Sequence, residues 1–446
     1  MPPSVCVIGA GSSGLPVIKA LRDRGIAVTC HERTPNIGGL WCIDNKAHGV
    51  SAAYDSLHIN TDTRLMEYRD LPMPAELPAY PGHRQIHDYF EAYAARFGLK
   101  EHIRFGSEVT HCERLADGRW RVSVTNGPDE TFDALVVANG HHWDPQWPDP
   151  PPPGHFDGAQ IHSHAYRNPA DPLDLRGKRV VVVGLGNSAA DIATELSYRS
   201  CAERVFLVVR TGAWVVPKWI GGKPMTRLPE PTRLFHWMPW RVSSFLAGLL
   251  IRHYQGHPAD FGLPTPDHRP LQSHPTVSQD LLSRVGHGDI VVRRSIKAFH
   301  GPAVEFDDGS LEQADAVIWC TGYKVSFPFF DESFLAAKDN VVPLWNRMVK
   351  PGIDNLFFVG LFQPLGSIMQ PAEFQARIIG ELLSGKARLP EPAVMEREIA
   401  AEERARSSRY RNTRRHTMQV DVGPFMHQLR RMLRDGQRLA RGKCPQ

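Results

Sequence analysis

Apolar positions along this chain come in short unbroken runs separated by stretches with helical spacing, and the arrangement occurs twice. Residues 5–8 (VCVI) read as a strand buried on both faces, the following stretch as a helix that runs to Gly25, and the next run as a second strand ending at Glu32. The order returns at 179–210, where RVVVV precedes a helical stretch and a second apolar run ends at Arg210. Three further runs, ALVVANG (134–140), AVIWCTG (316–322) and NLFFVGLFQP (355–364), each lead into a glycine. Strands alternating with helices predict an α/β fold with parallel sheets. The placement of the runs predicts a chain that leaves a first unit, builds a second and returns.

Both repeats carry a glycine signature between strand and helix. Gly9, Gly11 and Gly14 make G-x-G-x-x-G, and Gly184, Gly186 and Ala189 make G-x-G-x-x-A. The first glycine permits a tight turn, the second lets backbone approach a pyrophosphate, and the third position needs a small residue for helix–strand packing. The helix N-terminus favours the anion. The fold class that follows is two Rossmann-like dinucleotide-binding domains, the second inserted in the first. Glu32 stands 21 residues after Gly11, where a carboxylate can bind a ribose hydroxyl. The second repeat has Arg210 and Thr211 there instead; a carboxylate would repel a 2′-phosphate, whereas a guanidinium pairs with one. The expectation is FAD in the first site and NADPH in the second. The expected boundaries are 1–155 for the first part of the FAD domain and 156–168 for a linker. An NADPH domain with a helical insertion at about 213–280 covers 169–325, and 326–446 returns to the FAD domain with C-terminal helices.

Composition excludes several classes. The apolar fraction of 42% and charged fraction of 22% are those of an ordinary soluble globular protein. A net charge of +4 is too small to argue for nucleic acid, and the basic excess is local: residues 396–443 hold 13 Arg/Lys against 6 Asp/Glu. Seven scattered cysteines form no C-x-x-C, which fits a reducing compartment and speaks against a disulfide framework, a zinc site or a redox-active cysteine pair. No charged leader precedes the first strand, and the most apolar segment elsewhere, 245–251, is far below membrane-spanning length. A cytoplasmic location without an integral membrane anchor is expected. The histidine pairs at 141–142 and 162–164 lack metal-binding spacing, so no metal is expected.

Residues 156–166, FDGAQIHSHAY, show no helix or strand period and read locally as a loop with a glycine turn. Phe156, Gly158, His162 and Tyr166 match F-x-G-x-x-x-H-x-x-x-(Y/F), and through this segment the chain resembles the flavin-containing monooxygenases. GGLW (38–41), LHINTDTRLMEYRDLPMP (57–74), GNSAAD (186–191), CTGY (320–323) and EFQAR (373–377) are similar to further motifs of that family, in the same order. The resemblance implies an NADPH- and O2-dependent enzyme that forms a C4a-hydroperoxyflavin and retains NADP+ during catalysis. One oxygen atom then goes to a soft nucleophile, giving N- or S-oxygenation of small apolar amines and sulfides. Ketone-oxidising relatives carry Trp where this chain has Tyr166. Baeyer–Villiger oxidation of ketones by the same intermediate is the alternative, and a plain NAD(P)H:acceptor reductase a further one.

Residue roles follow from the same resemblance. It implies that Asn60, with Thr61 beside it, points its amide at the flavin adduct or the nicotinamide ribose. Gly39 and Leu40 lie near the flavin, and Trp41 either covers the flavin ring or joins the core. Asn187 and Ser188 bind NADP+ phosphate or the flavin edge, or cap their helix. Thr321 and Gly322 approach a cofactor at the return crossing, and His162 holds the nicotinamide domain in register. Residues 213–224 and 235–250, rich in Trp and aliphatics, read as a lid or tunnel for apolar substrates or a membrane-surface patch, or as a helical hairpin packed on its own domain or on a second copy in a homodimer. Residues 396–416 read as a charged helix followed by a basic loop. Phe425, Leu429, Met432 and Leu433 at helical spacing are expected to dock 424–440 onto the FAD domain.

Overall fold

The computed structural model describes residues 2–199, 201–227, 240–410 and 417–442. Packing divides the chain into two units. The first holds Met1–Ser51, Thr63–Asp144 and Lys324–Gln446, and the second holds Ala52–Asp62 and Pro145–Tyr323. The first crossing therefore falls at 144/145, not at 155, and an eleven-residue excursion, 52–62, belongs with the second unit. The return, at 323/324, lies within two residues of its expected place.

The first unit is built on a five-stranded parallel sheet in the order Leu356–Phe358, Ala134–Val137, Ser4–Ile8, Ala27–Glu32, Ile103–Phe105. Val5 pairs with Val28 on one side and Ala134 on the other, so the first glycine turn leaves the centre of the sheet. The runs 5–8, 134–137 and 356–358 are apolar because both their faces are covered; Val5, Cys6, Val7, Leu135 and Val136 are fully buried. A three-stranded antiparallel sheet, Val109–Arg114, Trp120–Val124 and Glu130–Phe132, packs its buried Trp120 among Phe330, Phe334 and other aromatics. The C-terminal helix Val422–Ala440 docks as its spacing predicted: Phe425, Leu429, Met432 and Leu433 are buried, and Phe425 meets Phe362 at 4.9 Å between ring centroids. The preceding helix, Pro392–Arg409, buries only Met395 and Arg406, as its charge pattern implies. The basic loop expected after it, 411–416, lies outside the described residues.

The second unit repeats the plan. Its parallel sheet runs Ala159–His162, Ala316–Trp319, Arg179–Val183, Arg204–Val208, Ile290–Arg293. In each unit the glycine-signature strand is central. The run ending in Asn-Gly (unit one) or Thr-Gly (unit two) lies on one side of it, and the strand ending near Glu32 or Arg210 on the other.

Two expectations need correction here. The 156–168 segment is not a linker: Ala159–His162 is the edge strand of this sheet, and Gly154–Phe156 joins a second sheet beside Ile296–Gly301. An edge strand with two of its four residues exposed lacks the apolar run of its neighbours, so periodicity could not reveal it. The 213–280 insertion is only partly helical. Val215–Val216 pairs with Thr276–Val277, and Trp219–Ile220 pairs with Lys223–Pro224 across Gly221 and Gly222, both at positive φ. Helix Trp240–Gln255 follows, and residues 228–239, including 235–239 at the start of the second Trp-rich run, lie outside the described residues.

Candidate functional site: two nucleotide cradles

The first unit encloses a cleft of about 880 Å³ including its open mouth, above the carboxyl ends of the central strands. Gly9, Gly11, Glu32, Gly39 and Leu40 line it; Trp41, half-buried in the turn Gly39–Trp41, does not. Gly9 holds φ +99°, and a Cβ there would stand 2.8 Å from the Ala138 carbonyl oxygen. A Cβ on Gly14 would overlap the Gly9 carbonyl at 1.9 Å, so glycine is obligatory where helix Gly14–Arg22 meets the turn. Gly11 differs. A Cβ there would meet nothing closer than Gly39 at 3.7 Å, so the protein leaves it an open backbone surface facing the cleft.

Glu32, 4% exposed, receives hydrogen bonds from Ala10 N (2.8 Å), Thr34 N (3.0 Å) and Thr34 Oγ1 (2.8 Å). It locks the glycine turn to the end of the second strand. Sequence reasoning missed several wall residues. Arg33 stacks on Trp143 at 4.8 Å, and Ser107 and Glu108 border the same side. His141 is buried in the cleft wall with Nδ1 unpaired, and burial pushes its pKa down to about 4. No local signal links positions 33 and 143. The E-x-Q-A-R segment explains itself by geometry: Gln375 Oε1 accepts Gly360 N at 3.0 Å, and Glu373 accepts Arg69 N and Asp70 N. Gly360 cannot carry a Cβ, because Ser13 Oγ would lie 2.1 Å away. The returning strand is thus pressed against the start of the first helix.

The second cradle has the same construction. Gly184 holds φ +131°, with the Cys320 carbonyl oxygen 2.6 Å from any added Cβ, and Gly186 stands at the N-cap of helix Asn187–Leu196. Asn187 Oδ1 accepts Val277 N at 2.9 Å and so ties the helix start to the insertion; its Nδ2 is left for a ligand. Ser188 is half-buried one residue into the helix. Arg210 and Thr211 are exposed just past strand Arg204–Val208, and no hydrogen bond or ion pair engages Arg210 among the described residues. A free guanidinium at that strand end is the donor a 2′-phosphate needs. Thr321 donates to the Gln146 carbonyl, and Gly322 accepts Gln146 N at 2.9 Å; these two residues fasten the crossing.

The 156–166 segment packs inside the second unit. Phe156 stacks near Phe299 at 5.1 Å, and a Cβ on Gly158 would collide with the Phe156 ring (2.5 Å) and the Asp315 carbonyl (2.6 Å). Tyr166, fully buried, donates to Glu195 at 2.8 Å. His162 is 3% exposed; its Nδ1 accepts His164 N at 3.1 Å, which leaves the proton on Nε2. Burial pushes its pKa to about 4, His164 adds to the shift and the Gly322 backbone opposes it. It is neutral in the ordinary pH range. Asn60 lies in the 52–62 excursion, with Oδ1 buried and no partner among the described residues, and Thr61 beside it is 9% exposed. A buried amide oxygen without a partner costs stability unless a ligand completes it.

A family model described as "Flavin-binding monooxygenase-like" matches residues 3–438. The chain belongs to that family. Among its relatives, "Flavin-containing monooxygenase 5" of Oryctolagus cuniculus is 36% identical, over 95% of this chain and 81% of the relative. "Dimethylaniline monooxygenase [N-oxide-forming] 2" of Rattus norvegicus is 35% identical over the same shares. The fold is shared with S-allyl-L-cysteine S-oxygenase from Allium sativum (TM-score 0.71, 24% identity, 99% of this chain and 92% of that one). It is shared too with cyclohexanone monooxygenase from Rhodococcus sp. Phi1 bound to NADP+ (TM-score 0.72, 19% identity, 98% of each). This flavin-binding monooxygenase is therefore an oxidoreductase with FAD and NADPH as cofactors, and its residues fit both. Gly11 is an open backbone surface at a helix N-terminus, Glu32 a buried carboxylate at the end of its strand, and Arg210 an exposed cation with no ion pair among the described residues. Among the described residues no helix is long and apolar enough to cross a membrane.

Proposed function

We propose that this flavin-binding monooxygenase transfers one oxygen atom from O2 to the nitrogen or sulfur of small apolar amines and sulfides. When bound, FAD supplies the redox chemistry, in the balance substrate + O2 + NADPH + H+ giving oxygenated product, water and NADP+. The protein's part is binding, orientation and exclusion of water. Gly9, Gly11 and Glu32 hold the flavin nucleotide; Gly186, Asn187, Ser188, Arg210 and Thr211 hold NADPH and retain NADP+. Asn60 supplies a neutral amide toward the reacting end of the cofactors.

The observation that carries oxygenation over simple reduction is Asn60 Oδ1, a buried acceptor that no group among the described residues satisfies. The choice of N and S is supported by the N-oxide-forming relative at 35% identity and by the fingerprint's Tyr166, fixed through its hydroxyl to Glu195. Ketone oxidation is the second reading, favoured by the plan shared with cyclohexanone monooxygenase. The six described cysteines that carry no disulfide support a cytoplasmic setting. The test supplies NADPH and 18O2 with an aryl methyl sulfide, a tertiary amine or cyclohexanone, and identifies products by mass. Labelled sulfoxide or N-oxide with little lactone is the expected result. Lactone as the main product would move the assignment to ketones, and peroxide alone from all three would reject oxygenation.

A further inference from the structure

The excursion that carries Asn60 is eleven residues long and has almost no regular structure of its own, with only an isolated bridge residue at His58. Its conformation is set from outside. Tyr54 OH donates to Asp191 at 2.5 Å from the second glycine-signature helix, and Asp55 N donates to the Arg167 carbonyl at 2.8 Å. Ser56 bonds Glu195 on the same helix. Those ties hold the first half, up to position 56.

The half around Asn60 is held by different residues. Lys218 Nζ donates to the Ile59 carbonyl at 3.2 Å, so an ammonium grips the peptide group that leads into Asn60. On the other side, Asp62, 1% exposed, accepts from Thr226 Oγ1 and from Arg227 Nε at 3.1 Å. Lys218, Thr226 and Arg227 all come from the first part of the insertion, which is pinned to the sheet side by the Val215–Val216 pairing and by Asn187. Burial works against the Lys218 charge, and Asp191 and Asp280 offset it. Half-buried, Lys218 thus places its ammonium on the backbone beside Asn60.

We propose that Lys218, with the Asp62–Arg227 pair, is a brace that fixes the direction of the Asn60 carboxamide. The insertion would then serve as a positioning device for the oxygenation site. Lys218 is a positioning residue, acting through the Ile59 peptide on Asn60. The idea rests on the reading that Asn60 contacts the reacting cofactors.

The test compares FAD-loaded wild type, Lys218→Met and Lys218→Arg with NADPH, O2 and an aryl methyl sulfide. NADPH consumed, sulfoxide formed and peroxide released are counted together. Loss of one charge-assisted hydrogen bond predicts about fivefold more peroxide per NADPH in Lys218→Met, with NADPH consumption close to wild type and coupling restored in Lys218→Arg. Hydrogen exchange gives an independent readout: amides of 57–62 should exchange about fivefold faster in Lys218→Met while those of 179–196 keep their protection. Unchanged coupling or unchanged protection of 57–62 overturns the brace. So does a proportional loss of NADPH consumption and sulfoxide with a general fall in protection. If Lys218→Met does not fold, Arg227→Gln carries the same two measurements on the Asp62 side. Wild type that makes no oxygenated product at all sinks the functional reading instead, a distinct result.

Discussion

At the scale of single residues, the sequence exposes those whose chemistry is local and hides those whose partners are remote. Gly9, Gly11, Gly14 and Glu32 are readable because turn, helix start and ribose acid follow one another within 24 residues. Arg33 on Trp143, or Gln375 on Gly360, become partners only when distant strands close the sheet. Arg210 lies between these cases: its position is readable, but its freedom from partners among the described residues is visible only in the structure. That freedom makes it a clean probe. Removing a bidentate pair with a phosphate costs about 1.5–3 kcal/mol, or roughly 10- to 150-fold in affinity. Arg210→Ala should weaken NADPH by that factor in flavin-reduction kinetics and leave NADH within about twofold, since NADH has no 2′-phosphate to lose. Equal losses for both nucleotides would mean that Arg210 supports the strand end. Asn60→Ala should keep NADPH consumption and turn it toward peroxide, measured as peroxide per NADPH.

At the scale of elements, three glycines that look alike in sequence have different duties, and alanine separates them. Gly11→Ala adds a methyl to open space, so thermal stability of the FAD-free protein should barely change while FAD affinity falls, because the methyl occupies the surface that faces the cleft. Gly14→Ala drives a methyl into the Gly9 carbonyl, and Gly158→Ala into the Asp315 carbonyl and the Phe156 ring. Both should lower the melting temperature, by several degrees for each 1–2 kcal/mol of strain. Only Gly14→Ala should also release FAD, which absorbance of the protein-bound flavin would report. Gly158 stands at the bend just before a strand that sequence alone could not reveal. The second sheet offered its central strands as apolar runs, yet its edge strand Ala159–His162 presents two exposed residues and one half-buried residue before His162. Pairing with Ala316–Trp319, not local propensity, makes it a strand. The insertion was misread for a related reason: Gly221 and Gly222 turn a short hairpin inside a stretch whose aliphatic content suggested helix.

At the scale of the molecule, one sequence plan is used twice, and each copy buries a histidine beside the glycine that ends a strand crossing. His141 follows Gly140 in the first unit, and His162 faces the Gly322 backbone in the second. Both imidazoles titrate at about 4 when folded, against an ordinary 6.5, with burial as the main cause. Between those values the unfolded chain binds more protons than the folded one, so stability rises with pH through that window. The contribution is complete above about pH 6.5 and is lost as pH falls toward 4, at up to about 3 kcal/mol for each histidine. A melting temperature that drops steeply from pH 6.5 to 4.5 is the expected observation. His141→Gln and His162→Gln remove the titrating group while keeping a polar side chain, so each should flatten part of that slope even if it lowers the plateau. Because the two histidines lie in different units, the double variant should flatten it by the sum of the two effects. A slope untouched by both substitutions would place the acid sensitivity in the carboxylates instead, with Glu381 and Glu403, both held below their usual range by arginine partners, the first to examine.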